Sequence, residues 1–339
     1  MKPFTKAFLG SWAGGLALAA TTLWAAESGN PYIGRFALTI PGGGAGWLGV
    51  TEENGQLKGG LLWGGGSVEP VQGVKVDGNQ LVVTRVHQSR QKDAAGKTVT
   101  KTTTETITMT LDGDAAKLTT VRTDEAGKSG KPEVFTGKRI PALPPAPDLS
   151  KVKFGDELVM FNGRDLDGWK LTSPGAVNGW SVNEGILVNK PVQEKDKPHK
   201  NYGNLRTVRE FEDFNIKLEA RLSPGGNSGI YLRGIYEVQV ADSFGKGTDS
   251  HNMGGVYSRI TPTENVCKKV GEWQQFDITL VDRHATVILN GKKIIDNQPL
   301  LGCTGGALWS DEFRPGPIYL QGDHTGIEYR NITLRPVIK

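Results

Sequence analysis

Period-two alternation of apolar and polar residues, cut at short intervals by glycine turns, most limits what this chain can fold into. In "TETITMTLDGDAAKLTTVRT", Ile107, Met109 and Leu111 fall on one side and Thr106, Thr108 and Thr110 on the other. Successive side chains of an extended strand point to opposite faces, so this spacing buries one face of a sheet and wets the other. Asp112-Gly113 here, Asp77-Gly78 in "VQGVKVDGNQLVVTRVH" and Asn290-Gly291 in "VILNGKKIID" are turn pairs. Both members of such a pair tolerate the positive φ of a tight hairpin loop. "FEDFNIKLEARL" repeats the alternation with Phe214, Ile216, Leu218 and Ala220. No long helical period competes, and the fold class expected is all-β, built from antiparallel hairpins.

At 339 residues the chain is long enough for two domains. It divides at "IPALPPAPDLSKVKFGDE", where Pro141, Pro144, Pro145 and Pro147 remove amide donors and favour an extended, stiff connection. The expected plan is a small antiparallel barrel or sandwich over 27–140, a linker over 141–153, and a jelly-roll sandwich of about a dozen strands over 154–339. The stretches "NPYIGRFALTI" and "EVFTGKRIP" resemble small lipocalin-like barrels. "LLWGGGSVEP" is glycine-rich but lacks the Gly-Lys-Ser/Thr ending of a phosphate loop, so it reads as a turn between strands. The first domain has one histidine, His87, and no evident catalytic grouping. In the second, "NSGIYLRGIYEVQVADS" reads as one strand and "GPIYLQGDHTGIEYRNITLRP" as a final hairpin, and His284 is expected to be exposed.

Residues 1–26 carry Lys2 and Lys6, a short apolar run and closing alanines, the order of an export signal. The run is short for a bilayer span, and no cysteine marks a lipid anchor. A periplasmic or extracellular location without a stable membrane anchor follows as the expectation. The net charge of +4 falls to +2 without the two leader lysines, too balanced to call for a nucleic-acid partner. An oxidising compartment permits a disulfide between the two cysteines, Cys267 and Cys303; two buried free thiols are the alternative.

The motifs "MFNGRDLDGW", "FEDFNIKLEARL", "NSGIYLRGIYEVQVADS", "GEWQQFDITL", "VILNG" and "GPIYLQGDHTGIEYRNI" occur in order over about 154–338. Together they resemble the 3-keto-disaccharide hydrolase domain family. The resemblance implies a concanavalin A-like jelly roll, a carbohydrate substrate, and cleavage of glycosides already oxidised at C3. Retaining glucanases on such sandwiches place E-x-D-x-x-E on one strand, whereas this chain has Glu237, Gln239 and Asp242. An amide replaces the helper, and the last carboxylate is a methylene shorter, which puts ordinary two-carboxylate hydrolysis in doubt.

A C3 ketone acidifies the C2 hydrogen, so one base and one stabiliser of an O3 oxyanion can drive loss of the C1 substituent. Glu237 or a histidine is the candidate base, and Glu237, His324 and Asp242 form the candidate catalytic set. Arg233, Gln239, His251, Gln321 and Asp323 are the candidate substrate-binding residues. Arg233, Gln239 or a divalent metal would hold the oxyanion, and His251, in "GTDSHNMGG", would close over substrate. Trp169, Trp180, Trp273 and Trp309 are available to stack on sugar rings or to fill the core. The competing reading is a non-catalytic carbohydrate-binding module.

Overall fold

The computed structural model describes residues 29–92 and 96–338. The expected export segment, residues 1–26, lies outside them.

Nine strands of the first half form one antiparallel sheet: β1 (Gly34–Thr39), β2 (Ala45–Glu53), β3 (Gln56–Trp63), β4 (Glu69–Pro70), β5 (Gly73–Asp77), β6 (Gln80–Lys92), β7 (Thr98–Asp112), β8 (Ala115–Asp124) and β9 (Glu133–Ile140). Their order is β4-β3-β2-β1-β9-β8-β7-β6-β5. The sheet rolls up because the segment after β4 is pinned on both sides. Val71 N–H donates to Gly59 O of β3, and Gln72 N–H to Thr84 O of β6. Alternate residues then fill the interior, among them Phe36, Leu48, Leu61, Leu81, Ile107, Leu118 and Phe135. Glu105 is the exception to this apolar lining. Its buried carboxylate is met by Arg85 at 2.9 Å, His87 at 2.9 Å, Arg122 at 3.1 Å and the Thr120 hydroxyl at 3.1 Å. Burial pushes this carboxyl up, and the cations and hydrogen bonds around it bring it net below its ordinary range. The lone His87 of this half thus belongs to a satisfied ion cluster around one carboxylate, Glu105.

The second half supplies thirteen strands: β10 (Leu158–Val159), β11 (Trp169–Leu171), β12 (Trp180–Asn183), β13 (Ile186–Asn189), β14 (Leu205–Thr207), β15 (Phe214–Leu222), β16 (Asn227–Leu232), β17 (Tyr236–Ala241), β18 (Gln274–Val281), β19 (His284–Leu289), β20 (Lys292–Pro299), β21 (Tyr319–Leu320) and β22 (Ile327–Pro336). One sheet runs β12-β13-β22-β15-β18-β19-β20 with β10 beside β22, and the other runs β11-β14-β21-β16-β17. Phe214, Ile216, Leu218, Ile278 and Leu280 of the first and Ile230, Leu232, Val238, Val240 and Leu320 of the second belong to one buried core. This is the two-sheet, all-β jelly roll expected. Among the described residues no helix is long and apolar enough to cross a membrane.

Three local expectations are corrected. The stretch 227–243 is a hairpin, because Arg233 (φ 54°) and Gly234 (φ 68°) take left-handed backbone and reverse the chain between β16 and β17. The last motif is not a hairpin, because β21 and β22 belong to different sheets and the chain crosses between them. His284 is buried rather than exposed, its Nδ1 2.9 Å from Asp282 O.

The two halves are not separated by their linker. Ala45, Trp47, Leu62 and Ile140 of the barrel pack into the sandwich's own core cluster. The proline-rich segment is itself tied down, since Asn297 Nδ2 donates to Pro147 O at 2.8 Å. Cys267 and Cys303 do not form a disulfide but stay free, buried thiols. Cys303 Sγ lies against Gly46 O of the barrel at 4.0 Å, and Cys267 Sγ against Lys268 O at 3.2 Å. Burial pushes the Cys303 thiol up to about 12, so it stays protonated.

Candidate active site

The β16–β17 hairpin sorts its side chains by the period of two. Ile230, Leu232, Val238 and Val240 enter the core, while Tyr231, Glu237 and Gln239 take the other face. Register places Tyr231 opposite Glu237 and also opposite Tyr319 of β21. The two tyrosine rings stack, with centroids 3.9 Å apart and planes 8° from parallel. Gly229 pairs with Gln239, and its missing side chain leaves room for Glu237. A Cβ at Gly229 would stand 2.8 Å from Glu237 Cγ and Cδ.

A cavity of about 250 Å³ opens on this face. It is lined by Glu237, Gln239, Gln321, Asp323, His324, Tyr231, Tyr319, Tyr257, Asn204, Asn227 and two pairs of glycines, Gly65-Gly66 and Gly305-Gly306. The free edge of β17 is closed by the segment that follows it. Gln239 exchanges backbone bonds with Gly254 and Gly255, and Glu237 O accepts from Tyr257 N. Thr304 Oγ1 accepts from Glu237 N at 2.9 Å. The Glu237 backbone is therefore fixed at both its polar groups.

Glu237 is 3% exposed. Burial pushes its carboxyl up to about 8, against the opposing pull of the Tyr231 hydrogen bond and the charge of His324. Hydrogen-bond accounting leaves room for a protonated carboxyl. Tyr231 Oη lies 2.9 Å from Glu237 Oε2 and 2.7 Å from Gly305 O. A carbonyl only accepts, and a phenol has one hydrogen. If that hydrogen goes to Gly305 O, the bond to Glu237 must be made by a carboxylic acid proton. A carboxylate would leave one of the two contacts without a hydrogen.

Asp323 and His324 stand on the crossing between β21 and β22. Asn204 Oδ1 holds this turn by accepting from Gly322 N at 2.7 Å and Asp323 N at 3.2 Å. His324 Nδ1 lies 2.6 Å from Asp323 Oδ1, which commits that nitrogen and leaves Nε2 for other chemistry. The Asp323 bond raises the imidazole above its ordinary value despite partial burial. Burial pushes Asp323 up, and the bond and charge of His324 bring it net down.

Two amides complete the lining. Gln321 Oε1 and Asn227 Oδ1 are buried with no hydrogen-bond partner, although buried acceptors are normally paired. Gln239 Nε2 reaches His251 O at 3.3 Å. Among the described residues no group of three or more His, Cys, Asp and Glu side chains is arranged to hold a metal ion.

The sequence candidates separate accordingly. Glu237, Gln239, Gln321, Asp323 and His324 share the cavity. Arg233 does not line it. The turn at Gly234 carries Arg233 away, and its guanidinium donates to Glu312 O at 2.6 Å and to Arg314 O. Asp242 also stands apart, with Oδ2 accepting from Gly225 N at 2.9 Å. His251 is not a free lid. Its ring is held by Ser67 Oγ at 2.8 Å and Asp249 Oδ1 at 2.7 Å, edge-on to Tyr257 at 4.7 Å. None of the four tryptophans lines the cavity. Trp169 and Trp180 are buried, Trp273 lies between Arg221 and Arg330, and Trp309 lies under Arg314. The residues that sequence reasoning missed are Asn204, Asn227, Tyr231, Tyr257 and Tyr319. Tyr231 and Asn227 carried a signal, since both share the quoted stretch and the parity of Glu237.

Comparison with known proteins bears on the same half of the chain. A 3-keto-disaccharide hydrolase of Bacteroides thetaiotaomicron is 24% identical over 149 residues, covering 36% of this chain and 51% of that protein. The chain thus spans about half the length of the curated relative it matches. A candidate glycosyl hydrolase of Parabacteroides distasonis, known from its crystal structure, is 21% identical and matches over 54% of this chain and 94% of its own, with a TM-score of 0.43. A second from the same organism is 25% identical over 54% of this chain and 100% of its own, with a TM-score of 0.40. The profile of the 3-keto-alpha-glucoside-1,2-lyase-like domain matches residues 156–335, more than half of the chain and the whole span that builds the sandwich face of the cavity. The chain belongs to the 3-keto-alpha-glucoside-1,2-lyase-like domain family.

Proposed function

We propose that this protein cleaves glycosides whose glycosyl unit carries a ketone at C3, and that it does so by elimination. The observation that carries this reading is a buried Glu237, its carboxyl pushed up by that burial, sharing one small cavity with an Asp323–His324 pair. An acid and a base of different type, each tuned by its surroundings, are what such a reaction requires.

His324, neutral and oriented by Asp323, takes the C2 proton on Nε2. The C2–H electron pair passes into an enolate across C2, C3 and O3. That pair then forms the C1–C2 double bond as the C1–O1 bond breaks. The leaving oxygen takes the proton of Glu237, which ends as a carboxylate. Gln239 takes the place of Arg233 as the donor to O3, since it lines the cavity and Arg233 is spent elsewhere. The unpartnered oxygens of Gln321 and Asn227 accept from sugar hydroxyls. Water adding across C1 and C2 afterwards gives net hydrolysis.

A 3-keto-glucoside and its unoxidised parent, supplied to the purified protein, test this. Cleavage of the oxidised sugar alone is expected. Comparable cleavage of the parent would replace elimination by ordinary glycoside hydrolysis. Binding modules rely on exposed aromatic platforms, and no tryptophan lines the cavity to provide one. On the lysine, apolar and alanine order of the first 26 residues, we place the protein outside the cytoplasm. Mass spectrometry of the native chain, finding a start near Glu27, is the check.

A further inference from the structure

We infer that the barrel is a specificity element, its triglycine loop forming the blind wall that limits the cavity to a single, terminal glycosyl unit. The inference rests on the glycoside reading above.

The loop 64–68 leaves β3 and reaches the sandwich beside the cavity. Gly64 O accepts from Gly306 N at 3.2 Å. Ser67 Oγ bonds His251 Nε2 at 2.8 Å, and Val68 N donates to Ser258 Oγ at 2.9 Å. Gly66 lies backbone to backbone on Gly305, so closely that a Cβ at Gly305 would meet Gly66 N at 2.7 Å. Only glycine permits that approach. The wall is coupled to the chemistry through one residue: Gly305 O accepts from Tyr231, the partner of Glu237.

Gly65 and Gly66 line the cavity itself, opposite in origin to every other lining residue. A sugar chain can lie through an open groove, but it cannot pass through this backbone wall. The volume, about 250 Å³, also falls below the roughly 300–1,000 Å³ of sites that take whole drug-sized ligands. One sugar ring with its hydroxyls paired is the occupant that fits.

Gly65 supplies the test. Its φ is not in the left-handed region, and a Cβ there meets nothing within 4 Å. A side chain at this cavity-lining position therefore has open space and can be added without disturbing the fold. Calorimetric binding would be measured with methyl 3-keto-glucoside and with the same unit carrying a further glucosyl group on O4. The proteins compared would be the native chain and Gly65→Trp, with thermal melts of each. The native chain is expected to bind the small probe and to bind the extended one at least ~10-fold more weakly. Gly65→Trp should lose ~10-fold or more at an unchanged melting temperature.

Equal binding of the two probes, or tight binding by Gly65→Trp, would overturn the wall. So would failure of the native chain to bind either probe, because the loop would then bound no glycosyl site. Binding without turnover would leave the wall in place and sink only the elimination mechanism.

Discussion

Tyr231 and Glu237 face each other across the β16–β17 hairpin, joined at 2.9 Å, and the Tyr231 hydroxyl is also joined to Gly305 O at 2.7 Å. Burial pushes that carboxyl up to about 8, and the Tyr231 hydroxyl pulls against it.

A bell-shaped pH dependence follows. The base must be neutral, so activity should rise as pH climbs through the His324 value, which lies above 6.5. The acid must keep its proton, so activity should fall through about 8. The window between is narrow. Turnover of a 3-keto-glucoside from pH 5 to 10 measures it, and activity still climbing at pH 10 would contradict the assignment of Glu237.

Glu237→Gln should lose at least ~10²-fold in turnover, the usual scale for an acid–base group. The same substitution should stabilise the fold. The folded carboxyl sits near 8 against an ordinary 4.5, so it costs nothing below pH 4.5. The penalty grows between these values as the unfolded chain ionises and the folded one does not. At about 1.4 kcal/mol per pH unit it reaches on the order of 5 kcal/mol above pH 8. Paired thermal melts should show the variant's advantage appearing above pH 5 and levelling off beyond pH 8.

Gly229→Ala puts a methyl group 2.8 Å from Glu237 Cγ and Cδ. The carboxyl must swing from Tyr231. Turnover should drop by ~10-fold or more, and the alkaline limb of the pH profile should move. A native profile and rate would show that the carboxyl's position does not matter.

Asp242 and Arg233 lie outside the cavity, so their variants should separate stability from catalysis. Asp242→Asn should keep turnover within about two-fold. Arg233→Ala leaves two carbonyls of the 312–314 segment without their buried donor. It should lower the melting temperature by the equivalent of ~1–3 kcal/mol with little change in KM at temperatures where the protein is folded.

Unfolding the protein without reductant should expose two reactive thiols, one each from Cys267 and Cys303. Ellman titration counts them, and a count of zero would restore the bridge.

Strand identity, the turn pairs and the sandwich were legible because period and turn chemistry are local. Asn290 and Gly291 do take positive φ, at 52° and 83°. The outward parity of Glu237 and Gln239 was legible for the same reason. Arg233 was misplaced because parity carries through a strand but not through a turn, and Arg-Gly there was read as strand. Asn204 and Tyr319 were hidden because their roles arise from strand neighbours far apart in the chain. The pairing of Tyr231 with Tyr319 joins residues 88 positions apart, and no spacing rule announces it. The loop at Gly64–Gly66 read as a turn, which it is; that it walls a cavity depends on how the barrel docks.

Trp47 belongs to the barrel, yet its indole lies under the guanidinium of Arg259 at 4.2 Å and against Gly302, where no side chain would fit beside it. Arg259 in turn holds Cys303 O at 2.6 Å, just ahead of the Thr304–Gly306 stretch that braces Glu237. A fragment trimmed to the family's own boundaries would keep every acid, base and amide described above. It would also open an indole-shaped apolar hole to water and release the brace behind its acid. Such a truncation should aggregate, and what stayed in solution should be inert, so the leading barrel is no detachable passenger.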